Sequence, residues 1–200
     1  MNLLMRTAAF CIAAAVFVGE ATAADIYVAT TGSDAADGSQ ASPFATLQVA
    51  IAAANSAIDG GEKSVTIHVA SGPYTGSGYV LDKAVTVQGA GAGETVFDGN
   101  GGYRVFSLMA PGATLKSLCV SNGTFTAQEQ QGAGVYMEAG LIEDCRIDSC
   151  GNASIYTTYG GGVYPSGGRI NRTKFTGCKV HMMWNDKGWG TITYDVGFTY

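Results

Sequence analysis

Charge is scarce in this chain. Asp, Glu, Lys and Arg make up 14% of its 200 residues, and the balance is −5. No basic block occurs, so the electrostatic footprint of a nucleic-acid binder or of a protein on an anionic lipid surface is missing. Histidine is nearly absent, with two in the chain. Neither His68 nor His181 has a carboxylate or a Ser or Cys nucleophile at a recognisable spacing. No C-x-x-C pair occurs, which removes the common zinc knuckles. Beyond Val18 no apolar run is long enough to cross a bilayer.

The start of the chain is different. Arg6 precedes an apolar core, Ala8 to Val18, and Ala21-Thr22-Ala23 follows as a small-residue cleavage site. This is the pattern of an export signal over residues 1–23, with cleavage expected after Ala23. The expected location is therefore outside the cytoplasm: extracellular, periplasmic or at the cell surface. Cys11 lies in the apolar run without the context of a lipid-anchored cysteine. Glycine is abundant, with 29 residues. Tyr, Thr, Ser and Val are also plentiful, which is the composition of a turn-rich β protein.

A repeat organises the second half. Gly134-Val135-Tyr136 is followed by Gly140, Ile142, Cys145, Ile147 and Cys150. The same spacing returns 28 residues later as Gly162-Val163-Tyr164, Gly168, Ile170, Thr173, Phe175 and Cys178. Leu115, Leu118 and Val120 form a weaker earlier copy. Short strands and glycine turns at this period imply a solenoid, in which each coil buries its apolar face only by stacking on the next.

The remaining segments fit that frame. Residues 24–62 read as a strand (Asp25 to Ala29), a Gly/Ser/Asp loop and a helix. The helix is expected to start at Ser42-Pro43, with Ser42 as N-cap. Its apolar face is Phe44, Leu47, Ile51, Ala54 and Ile58, and Gly60-Gly61 ends it. It is expected to cover the open end of the first coil. Residues 63–180 supply the coils, about five in number at this period. Residues 181–200 break the pattern and read as an irregular tail, such as a truncated end would leave.

Four cysteines follow the signal: Cys119, Cys145, Cys150 and Cys178. Cys145 falls where the repeat asks for an inward apolar residue. Cys150 and Cys178 are equivalent positions of successive coils. Stacked coils lie about 4.8 Å apart, so both buried free thiols and a bridge between these two remain open.

Ile26-Tyr27-Val28, Gly32-Ser33-Asp34, Asp37-Gly38-Ser39 and Pro43-Phe44-Ala45-Thr46-Leu47 resemble the opening of secreted parallel β-helix proteins. The segment Val65 to Tyr74, then Val85 to Gly89 and Thr95-Val96-Phe97-Asp98-Gly99, continue the likeness. The chain thus resembles the pectin-lyase-like superfamily over about Asp25 to Lys179. Its G-G-V-Y and I-x-x-C segments resemble polymorphic-outer-membrane and autotransporter-passenger repeats. The resemblance implies an all-β fold: a right-handed parallel β-helix with an N-terminal capping α-helix. It does not select an activity, because such folds carry lyases, hydrolases, adhesins and stalks.

Three groups of residues are candidates for function. Asp144, Arg146, Asp148, Arg172 and Lys174 are expected on one outer face, the first three on a strand from Asp144 to Asp148. They have the residue types of a lyase that neutralises a uronate carboxylate with calcium and removes a proton with Arg or Lys. They are also what a solubilised ladder of strands carries. Tyr156 and Tyr159 lie on a longer loop and could stack on sugar rings. Asp34 and Asp37 sit in an oxygen-rich loop that could hold calcium, or simply make turns. The leading expectation is a surface-associated binding or structural module for polysaccharide, with no cofactor required. The rivals are a calcium-assisted polysaccharide lyase and a non-functional N-terminal fragment of a longer passenger.

Overall fold

A computed structural model describes residues 23–125, 131–151, 159–184 and 188–194. The expected export signal lies almost entirely outside the described residues. Strand β1 (Ala23–Val28) and helix α1 (Leu47–Asp59) come first. The chain then advances in triplets of short strands. The first is β2 (Ser64–Val69), β3 (Gly72–Thr75) and β4 (Tyr79–Leu81). Next come β5 (Val85–Gly89), β6 (Thr95–Asp98) and β7 (Phe106–Leu108). They are followed by β8 (Thr114–Lys116), β9 (Cys119–Ser121) and β10 (Val135–Met137). The last full triplet is β11 (Leu141–Glu143), β12 (Arg146–Asp148) and β13 (Val163–Pro165), after which β14 (Arg169–Asn171) and β15 (Lys174–Thr176) continue the order.

Each member of a triplet joins a different parallel sheet. The first sheet runs β1-β2-β5-β8-β11-β14, the second β3-β6-β9-β12-β15 and the third β4-β7-β10-β13. The protein is therefore predominantly β, with stacked parallel sheets, consistent with a parallel β-helix.

Alternation within each strand sends one set of side chains inward. In the first sheet Ile67, Val87, Leu115, Ile142 and Ile170 stand in register. In the second, Tyr74, Phe97, Val120, Ile147 and Phe175 do the same. The third contributes Leu81, Leu108 and Met137. All of these except Ile170 and Phe175 are buried. Burying each large apolar side chain contributes about 1.5–3 kcal/mol, so the ladder supplies the cohesion that three-residue strands lack alone.

The bends are tight because residues there take the left-handed conformation. Between the first and second sheets these are Ser117, Asp144 and Arg172, at φ 53°, 53° and 40°. After the second sheet they are Asn122, Ser149 and Gly177, at φ 53°, 51° and 59°. Such backbone strains an ordinary L-residue, so Arg172 is the costly member of its stack.

The structure corrects three readings. Helix α1 is capped by Thr46, whose Oγ1 accepts the Val49 N–H at 3.5 Å. The expected cap, Ser42, instead closes a turn, its N–H donating to the Ser39 carbonyl at 3.1 Å, and Phe44 then bridges in parallel to Val28 before the helix begins. Strand β3, unassigned in the sequence, pairs with β6. The tail is not irregular throughout: β16 (Cys178–Trp184) and β17 (Gly188–Tyr194) pair as antiparallel strands. Residues 178–184 and 188–194 are rich in β-branched and aromatic types, which suits an extended pair. Helix α1 buries Leu47, Ala50, Ile51 and Ala54, and it packs on β1 and β2 and touches β4 and β5.

Candidate functional site

The outer row of the third sheet is Val80, Ser107, Tyr136 and Tyr164, in register from β4 to β13. Parallel in-register pairing places like residues directly beside each other, so a Tyr in each repeat becomes a stack. The Tyr136 and Tyr164 rings are parallel within 2°, with centroids 5.9 Å apart.

Arg104 extends the column. Its guanidinium carbon lies 4.5 Å from the Tyr136 centroid and 5.1 Å from that of Tyr103. Its NH1 donates to Ser107 Oγ at 3.3 Å, and its NH2 donates to the Gln131 carbonyl at 2.7 Å. Nε donates to the carbonyls of Gln131 and Gly132. One side chain thus ties β7 to the segment leading into β10 and fills the gap between two rings. Tyr136 in turn donates its hydroxyl to Glu138 Oε1 at 2.9 Å. That hydrogen bond to a carboxylate, followed by desolvation, pushes the Tyr136 hydroxyl above its usual range.

Among the described residues, three large apolar or aromatic side chains are strongly exposed: Val80 (44%), Tyr103 (40%) and Tyr159 (42%). All three lie on or beside this face. Tyr159 bridges in parallel to Gln131, whose carbonyl Arg104 holds. The sequence proposed Tyr159 and placed Tyr136 and Tyr164 at equivalent positions of successive repeats. Tyr156 lies outside the described residues. Tyr103 and Arg104 were missed, because they precede the repeat in its clear register and only the parallel stacking brings them to Tyr136.

The charged candidates divide into two places. Asp144 is not on a strand with Arg146 and Asp148; it occupies the bend before β12, and Arg172 occupies the equivalent bend one coil on. There Arg172 grips Asp144 with two bonds, of 2.6 and 2.9 Å, and Glu143 with a third contact of 2.7 Å. Lys116 approaches Glu143 at 3.5 Å. Arg172 holds the carboxyls of Glu143 and Asp144 below their usual range, first by hydrogen bonding. The same bonds raise the proton affinity of Arg172 further. Arg146 and Lys174 remain on the outer face of the second sheet, in register. Arg146 donates Nε to Cys119 Sγ at 3.3 Å and reaches Asp148 at 3.9 Å.

Asp34 and Asp37 are engaged by their own loop. Asp34 Oδ1 accepts the N–H groups of Ala45 and Thr46, and its Oδ2 accepts the Thr46 hydroxyl. It locks the cap residue of α1. Asp37 Oδ1 accepts the Ser39 N–H at 2.9 Å, a local turn that lowers its pKa. No group of three or more His, Cys, Asp and Glu converges among the described residues.

One pairing was invisible in the sequence. His68 does have a carboxylate partner: its Nε2 lies 2.8 Å from Asp25 Oδ1. The Tyr27 ring stacks on it at 4.9 Å. The pairing of β1 with β2 makes both contacts across some 40 residues of sequence. A groove of about 400 Å³ opens beside them, lined by Tyr27, His68 and Gln88, with Gln40 and Pro43 at its wall.

Compared with protein-family models, curated proteins and solved structures, the chain shows no significant match. Its class is defined by architecture alone, as a predominantly β chain of stacked parallel sheets with one helix. Among the described residues, no helix is long and apolar enough to cross a membrane.

Proposed function

We propose that this chain is an exported, surface-associated module that binds polysaccharide along its third sheet. In this reading the stack is a right-handed parallel β-helix of about five coils, of the pectin-lyase-like kind, with α1 as the lid of its first coil. The observation that carries the reading is the column Tyr103, Arg104, Tyr136 and Tyr164, with Tyr159 beside it. Sugar rings present apolar C–H faces and hydroxyl edges. Exposed tyrosine faces, a phenol hydroxyl and Glu138 offer the complementary groups. The backbone ladder holds them in place before a ligand arrives, which lowers the ordering cost of binding.

The lyase alternative asks for a basic side chain able to take a proton. Arg172 is poorly suited, since two carboxylates hold its charge. The calcium alternative asks for free carboxylate oxygens, and those of Asp34 are bound to the helix cap. Both features favour binding over catalysis.

A panel of neutral and uronate-containing polysaccharides tests the proposal by calorimetry, with and without calcium. Binding that weakens at least tenfold in Tyr159→Ala is expected, with no growth of ultraviolet absorbance from unsaturated products. Calcium-dependent absorbance growth abolished by Lys174→Ala would establish the lyase instead. A folded protein that binds no member of the panel would overturn the reading.

A further inference from the structure

Cys150 and Cys178 lie one repeat apart, and the ladder brings them side by side. The register Arg146 to Lys174 and Asp148 to Thr176, continued two residues, pairs Cys150 with Cys178. The Lys179 N–H donates to the Cys150 carbonyl at 2.8 Å, which confirms that alignment. Neighbouring parallel strands are about 4.8 Å apart, inside the Cα separation that a disulfide spans.

The surroundings repeat with the same period. Cys150 Sγ contacts the carbonyls of Asp148 and Val120, and Cys178 Sγ those of Thr176 and Ile147. A glycine faces each sulfur. A Cβ added at Gly134 would stand 3.0 Å from Cys150 Sγ, and one added at Gly162 would stand 3.0 Å from Cys178 Sγ. Both thiols are buried and free in the structure. Cys119 and Cys145 differ: the first lies under Arg146 on the outer row, and the second bonds the Glu143 carbonyl.

We propose that Cys150 and Cys178 form a disulfide that staples consecutive coils through the core and closes the segment between them. This inference stands apart from the polysaccharide reading. The oxidant is a small-molecule or protein disulfide met before the coils close. One thiolate attacks it, a mixed disulfide forms and one thiol leaves. The second cysteine then attacks the first cysteine's own sulfur in that mixed disulfide, and the oxidant's remaining sulfur leaves as the second thiol. Two cysteine thiols are oxidised to one S–S bond, and one disulfide is reduced to two thiols.

Peptide mapping after refolding with oxidised glutathione tests this directly. The full chain is denatured with an alkylating agent and no reductant, then cut with trypsin. The expected product joins residues 147–169 to residues 175–179 and separates on reduction, while Cys119 and Cys145 are alkylated. Alkylation of both Cys150 and Cys178, or a bridge between any other pair, would overturn the proposal. A reductant should lower the melting temperature of the oxidised wild type and leave Cys178→Ala unmoved; equal effects on both would also overturn it.

Discussion

At the bend between the first and second sheets, neighbouring coils set opposite charges together. On the third sheet they set aromatic rings together. The repeat spacing is the same in both places, and so is the parallel register that turns sequence periodicity into contact. The outcomes differ in what is left over. Arg172 meets Glu143 and Asp144 and has its charge matched. The aromatic column satisfies Arg104 internally yet leaves Tyr103 and Tyr159 about two-fifths exposed. On the proposed reading, the ladder that closes on itself serves the fold, and the one that leaves aromatic surface exposed serves the ligand.

The largest way to break this comparison is to remove what both surfaces share. Phe97 is fully buried and touches the rings of Tyr74, Tyr79 and Phe106. Phe97→Ala should destabilise the fold by about 3–5 kcal/mol, read by denaturant unfolding, and should weaken both surfaces together. Arg104→Ala comes next. It strips donors from two backbone carbonyls and a cation from between two rings, so a loss of about 1–3 kcal/mol is expected. Ligand binding should fall with it, because Tyr136 loses a neighbour that fixes its ring.

Tyr159→Ala sharpens the comparison rather than breaking it. Folding stability should change by less than about 0.5 kcal/mol, while affinity for the bound polysaccharide falls by about 1.4 kcal/mol, or tenfold. The smallest effect belongs to the bend. Arg172→Ala should lower the melting temperature slightly at neutral pH and leave ligand affinity unchanged. The folded-state pKa values of Glu143 and Asp144 are depressed. Their contribution is therefore present above the ordinary carboxylate range and is lost as pH falls through the folded values. The difference between wild type and Arg172→Ala should shrink in acid, and also at high salt. Arg172→Gly should melt above Arg172→Ala, since glycine accepts the left-handed backbone without strain.

Much of the fold was legible because its signals are local and periodic. Alternation in Val65 to Val69 and the 28-residue spacing of Ile142, Cys145 and Ile147 require only neighbours and a repeat. The bends were harder. Asp144 continues the alternation of Arg146 and Asp148 on paper, and only its left-handed backbone separates it from their strand. The start of α1 was misread because Ser42-Pro43 carries a good local signal, while Asp34 and the Phe44 bridge, acting from a distance, place the cap at Thr46. The candidate site was legible in part. The alignment of Tyr136 with Tyr164 follows from the repeat, and Tyr159 from its place on the longer loop between the two copies. Tyr103, Arg104 and the Asp25–His68 pair depend on which strand lies beside which, and sequence spacing carries none of that.

Fluorine NMR of protein labelled with fluorotyrosine tests the central claim most directly. Titration with the polysaccharide found in the binding panel should move the resonances of Tyr103, Tyr136, Tyr159 and Tyr164 and leave those of Tyr27, Tyr74 and Tyr79 in place. Shifts confined to Tyr27, beside the groove at His68, or a titration in which the third-sheet tyrosines stay fixed, would contradict the account.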